Sequence, residues 1–478
     1  MSLTGQLSRN TILQIAGKVV STIIGLIVIG LLTRSLGTDQ FGYYTTALAY
    51  VQVFGVLVDM GLYIVLVKKM AAEPERRDAW ASTAFTLRLY TALGFLILAP
   101  LTVLLTNYPG EVKAAVAIAT FSIFAVTMNQ VLVGIFQWSL RMDRVAIAEI
   151  IGRVVLLGGT LLAVANQASV RTVMVAVALG SLVNAAMSFW FSRTFVRIRL
   201  HLERELVKTI FREGWPVALS IAFNLVYFKA DTLILSVVRP ASEVGLYGSA
   251  YKVLEVLATI PAMVAGLLMP LLAAAYAGQQ QDRLREILQR AVDTVGLLAI
   301  PLAIGTGFVA RQVMLLVGGP EYVGAANALT LLMIATAAIF YGNLFANTVV
   351  AVNAQRRMLW GYAGVAVVSL VGYFLTIPRW GMAGAATMTV VSEVGVTLVA
   401  LYFIYRATRI RLRATNLVKI VGACAPLVIA LLLTPNLALV WRLGLAMLAY
   451  ALGLVVFRIF PLDLLRQTFT RLGYAHRD

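Results

Sequence analysis

The sequence predicts an all-α polytopic membrane protein with about fourteen transmembrane helices. Of its 478 residues, 60% are hydrophobic and only 13% are charged, a composition outside the range of soluble globular domains. Apolar runs of about 17 residues or more recur along the chain, and each is long enough to cross a bilayer core as a helix. Basic residues gather in alternate connecting segments, which is typical of a polytopic membrane protein.

The first stretch, 7–54, is predicted to form two long apolar helices joined by a short turn. Polar or small residues recur every three or four positions along the first helix, so they share one face: Asn10, Gln14, Lys18, Ser21 and Gly25. A lysine at mid-membrane costs roughly 2.5 to 3.5 kcal/mol on insertion scales. We therefore expect this face to border a helix bundle or a water-filled cavity.

The remaining spans follow in chain order. The first half contains six, near 11–33, 41–67, 83–106, 112–137, 145–166 and 171–191. Six more lie near 214–237, 244–275, 291–316, 323–349, 359–376 and 381–404, and two last ones near 417–433 and 438–457. Because the number of spans is even, both termini are expected on one side of the membrane.

The distribution of charge identifies that side as the cytoplasm. Most of the 39 Lys and Arg residues lie in the termini and in the loops on the same side. The opposite side carries only Arg34, Lys113, Arg171, Arg239, Arg379 and Arg442. The net charge of +18 is thus a topology signal, and it does not indicate a nucleic-acid partner.

The longest polar break, 192–214, separates two halves that resemble each other weakly. Gly42, Tyr44 and Ala47 correspond to Gly245, Tyr247 and Ala250 at a spacing of 203 residues. Parallel repeats predict two pseudo-symmetric six-helix lobes around a central cavity. The predicted domains are an N-lobe at 1–191 with helices 1–6, a cytoplasmic connector at 192–214, a C-lobe at 215–404 with helices 7–12, and helices 13–14 with a cytoplasmic tail at 405–478.

The connector contains an apolar stripe opposite a basic face. The stripe consists of Leu202, Leu206, Val207, Ile210 and Phe211. Such a pattern predicts a helix lying on the inner membrane surface.

No catalytic constellation is evident. The chain has no Walker-type phosphate loop, and the predicted outer loops are short. His201 and His476 are far apart, and Cys424 is the single cysteine. We therefore expect no catalytic residue, no metal site and no cofactor.

Ionisable residues within the spans are the candidate site, because charges in a membrane usually serve function. Arg88 is predicted to lie near a helix end, where long side chains snorkel. Glu149 with Arg153 and Lys252 with Glu255 have spacings that permit ion pairs, either structural or functional. The residues without a partner on their own helix are expected to meet one across the cavity or a ligand: Lys18, Asp59, Lys229, Asp231 and Glu393.

Three groups of site residues follow from these patterns. Ammonium and guanidinium groups suit phosphate, amides and hydroxyls suit sugar hydroxyls, and buried acids suit ion coupling. The candidate cationic headgroup site is Lys18, Arg153, Lys229, Lys252 and Arg88. The candidate polar lining is Gln14, Asn224, Tyr247 and Tyr251. The candidate coupling acids are Asp59, Asp231, Glu255 and Glu393.

The run TRSLGTDQFGYYTTALAYVQVF, after an SRNT-type start, resembles the opening of bacterial polysaccharide (O-antigen type) flippases. Their multidrug/oligosaccharidyl-lipid/polysaccharide exporter superfamily also contains multidrug antiporters and the lipid II flippase. The resemblance implies two rocking lobes around a cationic cavity for the headgroup of an undecaprenyl-pyrophosphate-linked oligosaccharide. It matches Lys18 and Lys252 to headgroup-binding basic residues, and helices 13 and 14 to a groove for the lipid tail.

The preferred functional hypothesis is alternating-access translocation of a lipid-linked glycan between the leaflets of a bacterial inner membrane. The first alternative is a cation-coupled multidrug or metabolite antiporter of the same fold. The second, from another class, is a membrane glycan polymerase or ligase. Expected partners are the lipid-linked glycan and the bilayer, with glycan polymerase or ligase machinery as a further hypothesis.

Overall fold

The computed structural model describes residues 3–59, 61–167 and 169–459, with side chains from residue 16 onward except at 216, 226, 227, 260, 262–264 and 267. Within these residues the chain is helical and contains no β-strand. The helices are α1 (Leu3–Asp59), α2 (Leu62–Ala72), α3 (Arg77–Leu96), α4 (Leu98–Leu104), α5 (Gly110–Trp138), α6 (Met142–Ala165), α7 (Val170–Ser192), α8 (Arg204–Val238), α9 (Ala241–Ala277), α10 (Gln281–Gly318), α11 (Ala326–Ala351), α12 (Gln355–Thr408), α13 (Thr415–Leu433) and α14 (Leu439–Val456).

The two longest helices, α1 and α12, each join two predicted spans at a glycine, and α1 ends within the second of its spans. Gly37 of α1 has φ 66°, and Gly381 of α12 has φ 56°, a left-handed region that glycine enters without steric penalty. The Gly37 carbonyl accepts a 2.9 Å hydrogen bond from the Tyr322 hydroxyl. The backbone N–H of Met382 donates to Glu243 Oε1 at 2.7 Å. The two breaks lie close to the turns predicted between spans 11–33 and 41–67 and between spans 359–376 and 381–404, so these two turns are confirmed.

The described chain contains eleven helical stretches that are long and apolar enough to cross a membrane. Two of them, 16–72 and 355–408, hold two predicted spans each, and α9 covers the predicted span 244–275. The prediction of an all-α polytopic membrane protein with about fourteen spans is therefore confirmed.

The end of the second predicted span differs from the prediction. The predicted span 41–67 is interrupted, because α1 ends at Asp59 and α2 begins at Leu62. Gly61 lies between them with φ 65°, a conformation that ends a regular helix. The last carbonyl groups of α1 therefore need hydrogen-bond partners inside the bundle.

The chain divides into two compact units. The first comprises Met1–Ser249, Val317–Tyr322 and Ala366–Ala385, and the second comprises Ala250–Leu316, Val323–Val365 and Ala386–Asp478. The predicted limits at 191, 214 and 404 were drawn from an internal repeat and remain a prediction.

In the first unit, the connector packs against protein. Helix α8 begins at Arg204, within the connector, and continues to Val238. Leu206 and Ile210 from the predicted surface stripe are only 2% and 1% exposed, in a cluster with Leu66, Trp80 and Leu132. This part of the stripe thus meets α2, α3 and α5, whereas the sequence predicted that it would lie on the membrane.

The chain before α8 is extended and hydrogen-bonded to side chains of α3. The N–H of Arg199 donates to Ser82 Oγ at 3.0 Å, and that of His201 donates to Thr86 Oγ1 at 3.1 Å. These two hydroxyls, one helical turn apart on α3, thereby satisfy the N–H groups of two alternate residues in the segment before α8.

In the second unit, α13 and α14 pack together and against α10. Arg442 of α14 is 7% exposed, and its guanidinium donates to Gln312 Oε1 and to the Leu431 carbonyl, both at 2.8 Å. At residue 453 an added Cβ would lie 2.2 Å from the Ala423 carbonyl oxygen, so glycine there permits close helix contact.

Candidate functional site

Lys18 lies where α1 crosses α6. Gly17 and Ala146 approach so closely that a Cβ on residue 17 would be 2.5 Å from the Ala146 Cβ. This contact places Lys18 Nζ 3.3 Å from Glu149 Oε1. Lys18 therefore finds the interhelical partner that was expected, and Glu149 pairs with it across the helices.

Arg153 lies one turn further along α6 and is half-buried. Its guanidinium faces Gly25 of α1, since an added Cβ there would be 3.8 Å from Arg153 Nη1. Within the described chain Arg153 makes no hydrogen bond or salt bridge, and the predicted pair with Glu149 does not form. Arg153 is therefore a cation with capacity to bind an anion.

Arg88 is fully buried, whereas the sequence predicted that its side chain would snorkel from a helix end. Its Nη2 donates to Asp59 Oδ1 at 2.7 Å, and its Nη1 donates to the Val58 carbonyl at 3.0 Å. Because α1 ends at Asp59, Arg88 satisfies a carbonyl exposed by that helix end and neutralises the neighbouring carboxylate. In this conformation Arg88 and Asp59 bind each other, and the headgroup role of Arg88 and the coupling role of Asp59 remain predictions.

Asp231 of α8 is fully buried beside Tyr247 of α9. The Tyr247 hydroxyl donates to Asp231 Oδ2 at 2.5 Å, and Thr232 Oγ1 donates to Asp231 Oδ1 at 3.1 Å. Tyr247 is itself 0% exposed, so it packs in the interior and does not line an open surface. On the same helix, Asn224 is exposed, and the Lys229 ammonium lies 5.5 Å from the Phe228 ring centroid.

The other predicted site residues on α9 and α12 belong to the second unit. Lys252 Nζ lies 2.7 Å from Glu255 Oε2, which confirms the ion pair predicted from their spacing. Tyr251 is 3% exposed and Glu393 is 6% exposed, so both are interior groups. The side chain of Gln14 lies outside the described residues.

The contact between α1 and α9 has the reciprocity expected of a repeat. A Cβ on Gly42 would lie 1.9 Å from the Ala241 carbonyl oxygen, and a Cβ on Gly245 would lie 2.0 Å from that of Thr38. The spacing of 203 residues relates Gly42 to Gly245 and Thr38 to Ala241. The two contacts are thus equivalent, as a pseudo-two-fold axis requires.

The residues Lys18, Glu149 and Arg153, where α1 meets α6, form what we call the α1–α6 face. This face has a cation that can bind an anion, and the described residues provide no candidate metal site. No group of three or more His, Cys, Asp or Glu side chains there could hold a metal ion. On the α1–α6 face, Lys18 is compensated by Glu149, whereas Arg153 keeps an uncompensated charge.

Comparison with known proteins identifies relatives of this chain. Residues 7–275 match the polysaccharide biosynthesis protein family. A Shigella flexneri protein named as an O-antigen transporter is 22% identical over 277 residues, which cover 55% of this chain and 66% of that protein, just under two thirds. A Haloferax volcanii protein named as a low-salt glycan biosynthesis flippase is 22% identical over 371 residues, 75% of each chain.

Solved structures share the fold. The lipid II flippase MurJ in an inward closed conformation matches with a TM-score of 0.77 and 13% identity, covering 95% of this chain and all of MurJ. An inward-facing multidrug transporter of the MATE family matches with a TM-score of 0.67 and 16% identity, covering 84% of this chain and 98% of the other. The match over residues 7–275, more than half of the sequence, shows that the chain belongs to the polysaccharide biosynthesis protein family.

Proposed function

We propose that this protein is a flippase that translocates an undecaprenyl-pyrophosphate-linked oligosaccharide from the inner to the outer leaflet of the cytoplasmic membrane by alternating access. The observation that carries the proposal is Arg153, a half-buried intramembrane cation without an ionic partner in the described chain. The family membership and the names of the flippase relatives support the same substrate class.

A pyrophosphate needs cationic compensation because it enters a region of low dielectric constant. Arg153 can present several N–H donors to phosphate oxygens, a geometry that suits phosphate better than a point charge does. Lys18 lies on the neighbouring helix, where it is paired with Glu149, and it is the candidate for a second phosphate-binding group. Lys229 and Lys252 are further candidates on α8 and α9.

The cytoplasmic location of both termini is part of the proposal and rests on the charge asymmetry of the loops. Reporter fusions in the connector 192–214 and at both ends should report the cytoplasmic side. An external connector would contradict this topology. Association with glycan polymerase or ligase machinery is a further, separate proposal.

A transporter is favoured over a membrane polymerase or ligase. The segment between α4 and α5 has five residues, 105–109, and that between α8 and α9 has two, 239–240. Neither is large enough to hold a glycan acceptor on the outer side.

The direct test is transport by purified protein in vesicles. Protein reconstituted with a fluorescent lipid-linked oligosaccharide should make the inner-leaflet pool accessible to a membrane-impermeant quencher. Vesicles with the same protein and a fluorescent phospholipid control for scrambling. Equal rates with and without protein would refute the flippase function.

The second candidate, a cation-coupled antiporter, is favoured by one observation, the fully buried carboxylate of Asp231. If a proton or sodium gradient drives transport, Asp231→Asn or Glu393→Gln should remove the gradient dependence while substrate still binds. Unchanged gradient dependence in both variants would exclude these acids from coupling.

A further inference from the structure

The first unit contains a cavity that the headgroup site does not include. Its volume is about 460 Å³, within the usual range of small-ligand pockets. Its walls are formed by the second half of α1, the segment between α4 and α5, the end of α8 and the start of α9. The polar lining residues are Tyr43, Thr46, Thr106, Asn107, Tyr108, Ser236 and Arg239.

One wall of this cavity is fixed by hydrogen bonds and ring packing. The Tyr108 and Ser236 hydroxyls lie 2.7 Å apart. The Tyr50 ring packs edge-on against Tyr108 at 6.4 Å between centroids, and the Tyr50 hydroxyl donates to Thr102 Oγ1 at 2.9 Å. Burial raises the pKa of the Tyr108 hydroxyl, which therefore stays protonated. The aromatic surface is thus held in place before any ligand arrives.

Other polar groups of the cavity are available to a ligand. Among the described residues, the Tyr43 hydroxyl and the Asn107 side-chain amide have no hydrogen-bond partner. Together they offer a hydroxyl that donates and accepts, an amide donor and an amide acceptor. A ligand bearing several hydroxyl groups, with an apolar ring face toward a tyrosine, satisfies this combination.

The charge of the cavity argues against a phosphate as its ligand. Arg239 is the cationic lining residue, and its Nη2 donates to the Pro378 carbonyl at 3.0 Å. Glu243 lies 3.8 Å from Arg239 Nε and offsets its charge. A neutral ligand therefore suits this cavity better than the pyrophosphate does.

We propose that this cavity is a binding site for a neutral sugar residue of the glycan on the outer side of the membrane. The proposal rests on the flippase function, because the segments 105–109 and 239–240 lie on the side that the loop charges make external. A sugar bound here is held by hydroxyl contacts and ring stacking, remote from the phosphate-binding cations.

The test is saturation-transfer NMR on the full-length protein in nanodiscs. The neutral probes are methyl glucoside, N-acetylglucosamine and methyl rhamnoside, and the anionic probes are glucuronate and inorganic pyrophosphate. Tyr43→Ala and Asn107→Ala should each weaken binding of a neutral sugar about tenfold, because each removes hydrogen bonds or a ring contact. Tyr90→Ala is the matched control, since Tyr90 is a 58% exposed tyrosine outside the cavity.

A neutral sugar that saturates wild type and Tyr90→Ala, and that an added lipid-linked oligosaccharide displaces, supports the proposal. Saturation by no neutral probe, equal binding by both cavity variants at unchanged melting temperature, or preference for glucuronate would overturn it. Failure of displacement would also overturn it, because the sugar would then be an independent ligand. Asn107 is exposed, so Asn107→Ala remains informative if Tyr43→Ala does not fold. Vesicle transport by wild type separately decides the flippase function.

Discussion

Replacing Arg153 with alanine should abolish most lipid-linked glycan transport without lowering protein abundance. The side chain is half-buried and faces Gly25, and it makes no hydrogen bond or salt bridge in the described chain. Its removal therefore leaves no protein charge uncompensated. What is lost is the interaction with a bound phosphate.

The expected size of the effect follows from charged hydrogen bonds. Such bonds contribute about 1.5 to 3 kcal/mol each, which corresponds to roughly a 10- to 150-fold loss of headgroup affinity. Arg153→Lys should retain part of the activity, because it keeps the charge and loses the forked donor geometry. Arg88→Ala should behave differently, since it strands the Asp59 carboxylate at a cost of about 3 to 5 kcal/mol and should lower abundance.

The assay is initial flux of a fluorescent lipid-linked oligosaccharide in vesicles, normalised to folded protein measured by size-exclusion chromatography. Arg171→Ala provides the matched control, because Arg171 is an exposed arginine on α7 that has no partner in the described residues. Wild-type flux in Arg153→Ala at normal abundance would refute the assignment. A loss of folded protein instead would mean that Arg153 has a structural role.

Two further predictions concern stability. Hydrogen bonds from Lys69, and secondarily from Lys68, lower the pKa of Glu213. The contact therefore stabilises the fold at pH values above the ordinary glutamate pKa. This stabilisation is lost as the pH falls through the lowered pKa of Glu213. Thermal unfolding followed from neutral to acidic pH should show a smaller acid-induced drop in Glu213→Gln than in wild type; an equal drop would contradict the contact. Gly245→Ala would place a Cβ 2.0 Å from the Thr38 carbonyl oxygen and should lower the melting temperature and abundance, whereas Gly94→Ala, with open space around it, should be neutral or slightly stabilising. Equal melting temperatures for the two glycine variants would show that the α1–α9 contact relaxes freely.

The spans were predictable because hydropathy and loop charge are local properties of the sequence. The Lys252–Glu255 pair was predictable for the same reason, since both residues lie on one helix at a fixed spacing. The Arg88–Asp59 pair was not, because it depends on a helix end at Asp59 inside an apolar run that hydropathy treats as continuous. Gly61 was the one local signal that could have indicated that end.

Ion pairs between residues on different helices could not be predicted from the sequence either. Glu149 can reach Arg153 on its own helix or Lys18 on α1, and only the rotation of α6 against α1 decides between them. The close contact of Gly17 with Ala146 sets that rotation, and no periodicity in either helix encodes it. The cavity lined by Tyr43 and Tyr108 was missed because its walls come from three stretches that are far apart in the sequence, 43–46, 106–112 and 236–244.

The paired and unpaired charges differ in how readily a substrate could recruit them. The Arg88–Asp59 pair is buried at 2.7 Å, so a ligand would have to break it at the cost of an isolated internal charge. The Lys18–Glu149 pair is longer, at 3.3 Å, and its side chains are 40% and 23% exposed. If a phosphate binds at Arg153, we therefore expect Lys18 to turn from Glu149 towards it more readily than Arg88 leaves Asp59, so that the α1–α6 face gains a second phosphate-binding cation.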